Sequence, residues 1–556
     1  MKKFLLTALA CSFLYLPASL AQFIDSMEVN TLKLKMFADG GIGEMQTQDS
    51  LGYHTLLYAQ SLWFAGLDAN NSLHVSAITF RTTTPDFKPG PVSNDPNAAT
   101  IYGKVYHVSL QTISDFVNGN TTGIPQEIAN WPAHGNTAMG EAAKLAPFVD
   151  VDNDGNYDPS QGDYPDIKGD EALFAIANDK NHRPTEGMGL EVHAMAYAYT
   201  TGGIEDSIVY LDYMIYNRSQ DQFADVYISS FLDFDLGDSG DDLPATNINE
   251  DAVFCYNGDD VDQGGFGNQP ASCALRILKG PPADYLDGVD NDRDGCVDGV
   301  LINGACQPED PSNGIQEHYK MSSSMAYFKF ASGAPTQTSD PVNAPEFYNY
   351  MRSLWKNGNN LVIENPSGFG STNNGDGYTI DGSGTKTNYV YPGDSYDASG
   401  AFTPSSPVNW FASPDFSSDF RMLANMGPFT LTAGESFDLN MAIVWSRDSS
   451  AAAGYTHINS LVSGLGAPKP VRNVSLRDFT ADRDVDLFFD TQNREWVLNN
   501  HSDRSLDFKL VSISGKLIRH ITIDAKSHLP IQRSELVTGI YLLINQSSGK
   551  AYKIMY

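Results

Sequence analysis

The chain has 556 residues, of which 41% are hydrophobic, and this length and composition fit a globular protein of about two to four domains. Its formal net charge is −33, and since residues 471–556 are close to neutral, the acidic charge lies on the body of the protein. Such a body repels nucleic acid and anionic membranes, because binding to a polyanion needs clustered Lys and Arg, and it attracts cations instead.

The first residues have the organisation of a secretory signal peptide. Two lysines precede an apolar run over Phe4–Leu16, and Ser19-Leu20-Ala21 supplies the small residues of a cleavage site. The run is shorter than the roughly 20 apolar residues that cross a bilayer. We therefore predict a signal peptide at residues 1–21 and a secreted, extracellular protein without a membrane span.

Strands and turns dominate the predicted structure of the remaining chain. The 48 Gly, 29 Pro, 27 Tyr and 29 Phe favour strands and turns over helices. The alternating pattern of Val209–Tyr216 is typical of a strand that is covered on at least one face. The fold class predicted is mainly β, with β-sandwich-type domains and few short helices, of which Pro345–Lys356 and Ala451–Val462 are the best candidates.

Composition changes along the chain suggest the domain boundaries. We predict an N-terminal β-rich domain at residues 22–145 and an acidic β-rich body at residues 146–462. A linker containing Gly and Pro follows at residues 463–471. A small all-β domain at residues 472–556 ends the chain.

The predicted body opens with an acidic loop that has the spacing of a calcium-binding loop. Oxygen ligands stand at positions 1, 3, 5 and 9, a backbone carbonyl is available at position 7, and Gly155 at position 6 permits the sharp turn. The usual glutamate at position 12 is replaced by Gln161, and Asp163 is a candidate substitute. The predicted ligands of this first loop are Asp150, Asp152, Asp154, Asn156, Asp158 and Asp163.

A second acidic loop repeats this spacing. Gly295 again stands at position 6, Cys296 offers its backbone carbonyl at position 7, and Leu301 replaces the position-12 glutamate. Asp287, just upstream, is a possible extra ligand. The predicted ligands of this second loop are Asp287, Asp290, Asp292, Asp294, Cys296 and Asp298.

Electrostatic repulsion is the physical reason to expect a metal in both loops. Three or four carboxylates within one turn repel each other unless a hard cation neutralises them, and flexible oxygen ligands suit Ca²⁺ better than Mg²⁺. Asp, Asn and Gly are also common turn formers, so a solvated turn is the competing interpretation. The repetition of the whole pattern favours Ca²⁺. Its role is predicted to be structural, because Pro and Gly break the helices that flank sensor loops.

Other polar residues leave several interpretations open. Asp233 and Asp235 alternate at a strand end, which fits an acidic turn, a further cation site or a pair of catalytic carboxylates. Glu191 and His193 share one strand face, and a buried strand histidine is favoured over an acid/base or ligand pair. Core positions are favoured over a sugar-binding platform for five tryptophans. These are Trp63, Trp131, Trp355, Trp410 and Trp445.

Four cysteines lie beyond the predicted signal peptide. An even number in an exported protein indicates disulfides, and the two sequence-local pairs suggest Cys255 with Cys273 and Cys296 with Cys306. Three pairings are compatible with the sequence. A zinc site is disfavoured, because no CxxC spacing and no neighbouring histidine accompany these cysteines.

The tail carries three motifs that point to a known kind of domain. They are Ser514-Gly515-Lys516, Gly539-Ile540-Tyr541-Leu542-Leu543 and Ser548-Gly549-Lys550. With them the tail resembles the type A-like C-terminal sorting domain of type IX secretion substrates. The resemblance implies a small immunoglobulin-like β-sandwich that an outer-membrane translocon recognises. The domain is then removed or exchanged for an anchor at the cell surface.

The body also resembles large, uncharacterised secreted proteins that carry such tails. The resemblance rests on Trp131-Pro-Ala-His134-Gly135-Asn136, Leu145–Asp150, Gly162-Asp163-Tyr164-Pro165 and Gly427-Pro428-Phe429-Thr430. That family has no established activity, so the resemblance implies nothing about catalysis.

The function predicted from these features is that of a secreted or cell-surface, calcium-stabilised protein. It binds a surface glycan or protein ligand, or it serves as structural surface material. The alternative is an extracellular hydrolase acting on polysaccharide, which requires a cleft with two carboxylates about 5 to 9 Å apart.

Overall fold

The structure is a computed structural model of the chain. It is 45% strand and 13% helix, which confirms the mainly β prediction. The predicted signal peptide and most of the predicted linker lie outside the described residues. The residues described are 23–50, 52–79, 86–180, 187–328, 336–363, 377–378, 383–392, 410, 412, 419–465, 485–490, 495–512, 517–531, 540–545 and 551–555.

The chain divides into two compact units. The first comprises Met1–Ser109 and Gln126–Pro470, and the second comprises Leu110–Pro125 and Val471–Tyr556. The strands of the first unit are β1 (Ile24–Val29), β2 (Leu32–Phe37), β3 (Ile42–Asp49), β4 (Gly52–Leu67), β5 (Leu73–Ser76), β6 (Lys88–Pro89), β7 (Tyr106–Ser109), β8 (Phe148–Val149), β9 (Tyr164–Pro165), β10 (Glu171–Asn178), β11 (Leu190–Ala198), β12 (Ile208–Asn217), β13 (Phe223–Phe234), β14 (Asp242–Asn247), β15 (Ala252–Asn257), β16 (Ala271–Lys279), β17 (Gly299–Ile302), β18 (Ala305–Pro308), β19 (Ser323–Phe328), β20 (Val362–Ile363), β21 (Thr385–Lys386), β22 (Phe420–Leu431) and β23 (Ser436–Arg447).

Helices are short. The α-helices are α1 (Ala98–Ile101), α2 (Leu110–Val117), α3 (Gln126–Ala129), α4 (Ala344–Met351) and α5 (Ala451–Gly464), and 3-10 turns lie at Thr137–Met139, Pro159–Gln161, Ile204–Ser207, Pro311–Asn313 and Thr336–Thr338. Helices α4 and α5 confirm the two predicted helices. Each begins at a capping side chain, Asn343 for α4 and Ser450 for α5, which accepts a hydrogen bond from a backbone N–H of the first turn.

Two large antiparallel sheets form a sandwich-like arrangement in the first unit. One has the order β1-β2-β3-β4-β13-β22-β19, with β5 beside β4; the other has the order β14-β15-β16-β23-β12-β11-β10-β6, with β7 beside β10. A hydrogen bond between buried polar side chains links the two sheets. Tyr213 of β12 donates to the Gln60 carbonyl of β4 at 3.0 Å, and Gln60 donates to Ser230 at 3.2 Å. These hydrogen bonds satisfy polar groups that would otherwise be costly to bury.

The predicted boundary near residue 145 does not divide the structure. Strand β4, from the predicted N-terminal domain, pairs with β13 from the predicted body, and β7 pairs with β10 in the other sheet. Most of β4 is buried, so its backbone needs hydrogen-bond partners, and besides the sequence-local strands β3 and β5 these come from β13. The predicted N-terminal domain and body therefore share both sheets.

The tryptophans belong mainly to the core, as predicted. Trp63, Trp131, Trp355 and Trp410 are at most 4% exposed, whereas Trp445 is partly exposed on β23. The Trp63 ring stacks on Phe231 with centroids 5.2 Å apart, and its Nε1 donates to the Ile78 carbonyl at 2.7 Å. The four buried rings are therefore not available as a sugar-binding platform.

The strands of the second unit form two small antiparallel sheets, ordered β24-β25-β28 and β27-β26-β29-β30. Side chains of both sheets, including Trp496, Leu498, Phe508 and Leu543, share one buried core. The immunoglobulin-like type remains a prediction, and the glycine-lysine turns of the tail motifs lie outside the described residues. The strands are β24 (Val485–Asp490), β25 (Glu495–Asn500), β26 (Leu506–Ser512), β27 (Leu517–Ile523), β28 (Ser527–Ile531), β29 (Ile540–Asn545) and β30 (Ala551–Met555).

A search of the described helices for a membrane span found none of sufficient length and apolar character.

His107 of β7 links the first strand to the second sheet and gives a pH-dependent test of the fold. Its Nε2 lies 2.6 Å from Glu171 and its Nδ1 lies 3.7 Å from Asp25 of β1. Burial opposes the charged ring, but the hydrogen bonds to Asp25 and Glu171 prevail and raise the pKa of His107 to about 9. The stabilisation is therefore complete below pH about 6.5 and is lost as the pH rises through about 9.

We expect His107→Gln to lower the free energy of unfolding by about 1–2 kcal/mol at pH 6, after allowance for solvent screening, and to have little effect at pH 10. Urea unfolding followed by tryptophan fluorescence at both pH values measures this difference. His520→Gln, at an exposed position of β27, is the control and should be neutral at both. An equal loss at pH 6 and pH 10 would contradict the ion-pair account.

Candidate metal centres

The first acidic loop connects two short strands that close its base. Strand β8 pairs with β9, so that Phe148 faces Pro165 and Val149 faces Tyr164. The surroundings hold this base in place: Trp131 Nε1 donates to the Pro147 carbonyl at 2.8 Å. Three of the four segments on which the predicted resemblance of the body rests thus meet around the loop. These segments form the base of the loop and also contain two of its aspartates, Asp150 and Asp163.

Three predicted ligands converge in the first loop. Carboxylate oxygens of Asp150, Asp152 and Asp163 lie within 4.8 Å of one another. Asp163 is 0% exposed, and its two oxygens accept the backbone N–H groups of Val151 and Asp158, each at 2.8 Å. The candidate substitute for the position-12 glutamate therefore lies beside the first two ligands of the loop.

The other predicted ligands of the first loop shape its backbone. Asp154 accepts a hydrogen bond from the Asn156 N–H at 2.7 Å, and Asp158 accepts one from Ser160 at 2.8 Å to cap a 3-10 turn. Neither carboxylate belongs to the converging group of three. Asn156 is exposed, and the prediction assigns only its backbone carbonyl to the metal.

The second acidic loop lies between β16 and β17, and its three central aspartates converge. Oxygens of Asp290, Asp292 and Asp294 lie within 4.8 Å of one another. The two outer predicted ligands instead bind backbone at the ends of the loop: Asp287 accepts the Val289 N–H at 2.8 Å, and Asp298 accepts the Gly288 N–H at 2.7 Å.

The two loops have the same backbone conformation. The position-1 aspartate accepts the N–H groups of positions 5 and 6, at 3.2 and 2.8 Å from Asp150 and at 3.1 and 2.9 Å from Asp290. The residue at position 4 has φ of 62° in Asn153 and 54° in Arg293, and the glycine at position 6 has φ of 85° and 91°. Glycine suits this last position because L side chains rarely adopt such angles. Backbone amides thus hold the carboxylates of both loops in one arrangement.

The converging carboxylates oppose each other's ionisation. Burial, followed by the charges of Asp294 and Asp290, raises the pKa of Asp292 to about 6, although the Asp294 N–H and Lys320 act in the other direction. Burial and the neighbouring carboxylates also raise the pKa of Asp152. A bound divalent cation reverses this preference, because it stabilises every ionised carboxylate around it.

The second loop is anchored in the sandwich, whereas the first faces solvent. The Arg293 side chain is 10% exposed and donates to the Ile248 carbonyl at 2.9 Å and to Tyr389 at 3.1 Å. It also forms an ion pair with Asp251. Asn153, at the equivalent position of the first loop, is exposed. A metal in the second loop would therefore be coupled directly to the core.

Two glutamates beside the second loop have no signal in the sequence. Glu309 accepts the backbone N–H groups of Leu286 and Glu317, each at 3.0 Å, and so joins the start of the loop to a later segment. Glu317 is 1% exposed, and its charge interacts with Asp292 and Asp290. Both glutamates follow β17, outside the spacing that defines a calcium loop, so only the fold brings them to this site.

A third group of carboxylates lies beside an arginine side chain. Oxygens of Asp233, Asp235 and Asp419 lie within 4.8 Å of one another. Arg421 Nε lies 3.4 Å from Asp233, and the same guanidinium forms an ion pair with Asp419. Among the interpretations left open for Asp233 and Asp235, an acidic strand end in an ion-pair network fits this arrangement best.

His193 is buried on β11, as the favoured interpretation predicts, and lies in a polar network with Glu191. Glu191 is 0% exposed, and its Oε1 lies 3.0 Å from His193 Nε2 and 2.7 Å from Arg218. Its Oε2 accepts the Val92 N–H at 2.8 Å. Burial acts to raise the pKa of Glu191, but His193 and Arg218 outweigh it and the pKa is lowered. Partners thus surround the carboxylate.

One of the two suggested disulfides is formed. Cys296 is bonded to Cys306, which fastens position 7 of the second loop to β18. Cys255 and Cys273 are buried free thiols, so the suggestion of a bond between them is wrong for this structure. They face each other across β15 and β16. Directly opposed β-carbons lie about 4.5–5.5 Å apart, farther than the roughly 3.8 Å typical of a disulfide.

Comparison with known proteins identifies no family. No protein-family model matches the chain, and no curated protein matches it. Among solved structures, an aldose epimerase homologue from C. elegans is similar over 76% of this chain and 99% of that chain, with 9% sequence identity and a TM-score of 0.22. At that TM-score the similarity carries no argument about function.

Substitutions of Asp163 and Asp152 test separately the hydrogen bonds that hold the first loop and its proposed calcium binding. Asp163→Ala removes the charged acceptor of the Val151 and Asp158 backbone N–H groups, so we expect a loss of about 1–3 kcal/mol in the free energy of unfolding even in EDTA. Asp152→Ala removes an exposed carboxylate and should be nearly neutral in EDTA but weaken calcium binding. Chemical unfolding with and without calcium measures both, and equal losses for both variants in EDTA would refute this division of roles.

Proposed function

We propose that this is a secreted or cell-surface protein whose β-rich body is stabilised by Ca²⁺. The observation that carries the proposal is the repeated loop: two segments far apart in sequence share one hydrogen-bonded framework around three converging carboxylates. Oxygen-only ligands in this arrangement suit Ca²⁺. The large negative charge of the chain, −33, is consistent with a protein that works in the presence of divalent cations.

The surroundings of the loops support a structural role for the metal. Sensor loops move the helices on either side of them, whereas the first loop here connects β8 to β9 and the second precedes β17. Arg293 and the Cys296–Cys306 disulfide fix the second loop further. In this proposal calcium holds a surface region in one shape.

Exposed apolar side chains around the second loop favour binding as the role of that surface. Six large hydrophobic residues between positions 285 and 302 are at least 41% exposed, a concentration typical of protein-contact surfaces. We therefore propose binding or adhesion, to a protein or glycan ligand, ahead of a purely structural role in surface material. The six residues are Tyr285, Leu286, Val289, Val297, Leu301 and Ile302.

The alternative of an extracellular hydrolase acting on polysaccharide gains no support from the carboxylates that suggested it. Glu191 and Asp233 are 0% and 2% exposed and lie beside Arg218 and Arg421. A general acid or nucleophile has to reach the substrate.

Export through the type IX translocon remains part of the proposal. It is supported by the tail motifs and by the separate unit of two small sheets with its own core. A compact unit with its own core is suited to recognition by a translocon.

Calcium binding is the first test. We expect about two Ca²⁺ per chain by isothermal titration and a fall of several degrees in the thermal midpoint in EDTA, because a ligand at 100 times its Kd stabilises by about 2.7 kcal/mol. Asp150→Asn and Asp290→Asn should each remove one ion, and Mg²⁺ should substitute poorly. An unchanged melt in EDTA together with no bound calcium would disprove the metal sites.

Export is tested separately with the tail. Residues 472–556, joined to a signal peptide and a reporter protein, should direct the reporter outside the outer membrane of a bacterium that has a type IX system. The same fusion in a strain without the translocon should stay in the periplasm. A reporter retained in both strains would rule out the sorting role and leave the calcium proposal untouched.

A further inference from the structure

The ligands within the second loop do not complete a calcium shell. Ca²⁺ takes six to eight oxygens, and calcium loops normally obtain two of them from a glutamate at position 12. Here Leu301 stands at that position, with an apolar side chain that is 47% exposed. Its backbone N–H donates to the Asp294 carboxylate, and the residue itself belongs to the hairpin of β17 and β18.

Glu317 is a buried carboxylate that accepts no hydrogen bond within the described part of the chain. It is 1% exposed, and neither of its side-chain oxygens accepts a hydrogen bond from the described residues. The Asn291 amide lies close enough to favour its ionisation slightly, but this amide donates to both oxygens of Asp287, at 3.3 and 3.1 Å. Burying a carboxylate in this way is costly unless a positive charge is close to it.

Backbone pairing brings Glu317 to the loop. Lys320 N–H donates to the Asn291 carbonyl at 3.3 Å, and the Ala283 N–H donates to the Glu317 carbonyl at 3.0 Å. Burial, followed by the charges of Asp292, Glu309 and Asp290, raises the pKa of Glu317 to about 7. The side chain therefore lies within electrostatic reach of two of the three converging aspartates.

We infer that Glu317 is a calcium ligand of the second loop, in place of the missing position-12 glutamate. The inference rests on the proposed calcium occupancy of that loop. It makes the two sites parallel, since in the first loop Asp163, also buried and also downstream of position 12, joins the converging group. Glu309, whose oxygens both accept backbone N–H groups, positions Glu317 and is not a ligand.

One calcium ion would therefore connect two segments that are well separated along the chain. Its ligands come from both sides of the β17–β18 hairpin, so calcium joins the chain after β16 to the chain before β19. The exposed apolar residues of this segment are then held in place by the metal together with the disulfide. The binding surface of the proposed function would accordingly form only in calcium.

The test uses the full chain carrying Asp150→Asn, so that only the second site binds calcium. Adding Glu317→Gln, which keeps the shape and removes the charge, should weaken calcium binding by about 10- to 100-fold in isothermal titration. In EDTA the same variant should melt at or above the temperature of its parent, because it removes a repelling carboxylate. Glu141→Gln is the matched control: Glu141 is also buried, but its oxygens accept hydrogen bonds from Ser93 and Tyr102, outside both acidic loops, so the variant should lower stability equally with and without calcium and leave the affinity unchanged.

Three outcomes separate the claims. Unchanged calcium affinity in Glu317→Gln, with a parent that binds one ion, overturns the inference and leaves the proposed function in place. A parent that binds no calcium overturns both. If Glu317→Gln does not fold, Glu317→Asp is measured in the same way: a weakened affinity supports the ligand role, and the parental affinity overturns it.

Discussion

The acidic regions of this protein depend on one constraint, which is electrostatic repulsion between carboxylates. Backbone amides hold these carboxylates close together. In both loops the N–H groups of positions 5 and 6 bind the position-1 aspartate and keep it beside its neighbours. Such an arrangement is stable only if a positive charge balances it. The chain meets this requirement with an arginine at Asp233, whereas for the two loops we propose that Ca²⁺ supplies the positive charge.

The sandwich determines how firmly each loop is held. The first loop rests on a two-residue strand pair and faces solvent. The second loop buries the Arg293 side chain, which forms an ion pair with Asp251, and is joined to β18 by the Cys296–Cys306 disulfide. It also lies beside two glutamates of a later segment, Glu309 and Glu317. The same local sequence pattern therefore yields a peripheral site in one place and a site coupled to the core in the other. The exposed apolar residues between positions 285 and 302 lie at this second loop, where the binding role is proposed.

Buried polar groups elsewhere in the body are neutralised within the protein. Glu191 lies between His193 and Arg218, and Tyr213 bridges the sheets through Gln60. These networks fix the register of central strands, because a displaced strand would leave them unpaired. Glu317 differs from Glu191, because neither of its oxygens accepts a hydrogen bond from the described residues and its strongest charged neighbours are other carboxylates.

Local spacing in the sequence determined the loop conformation, the strand-rich class, the two capped helices and the buried tryptophans, because each depends on residues a few positions apart. Only the tertiary structure decided that β4 pairs with β13, that Cys255 faces Cys273 without a bond, and that Glu317 lies beside Asp290 and Asp292. These contacts join residues distant along the chain or depend on the exact separation of two side chains. No periodicity or motif in one sequence encodes such distances, since they arise from how the sheets pack.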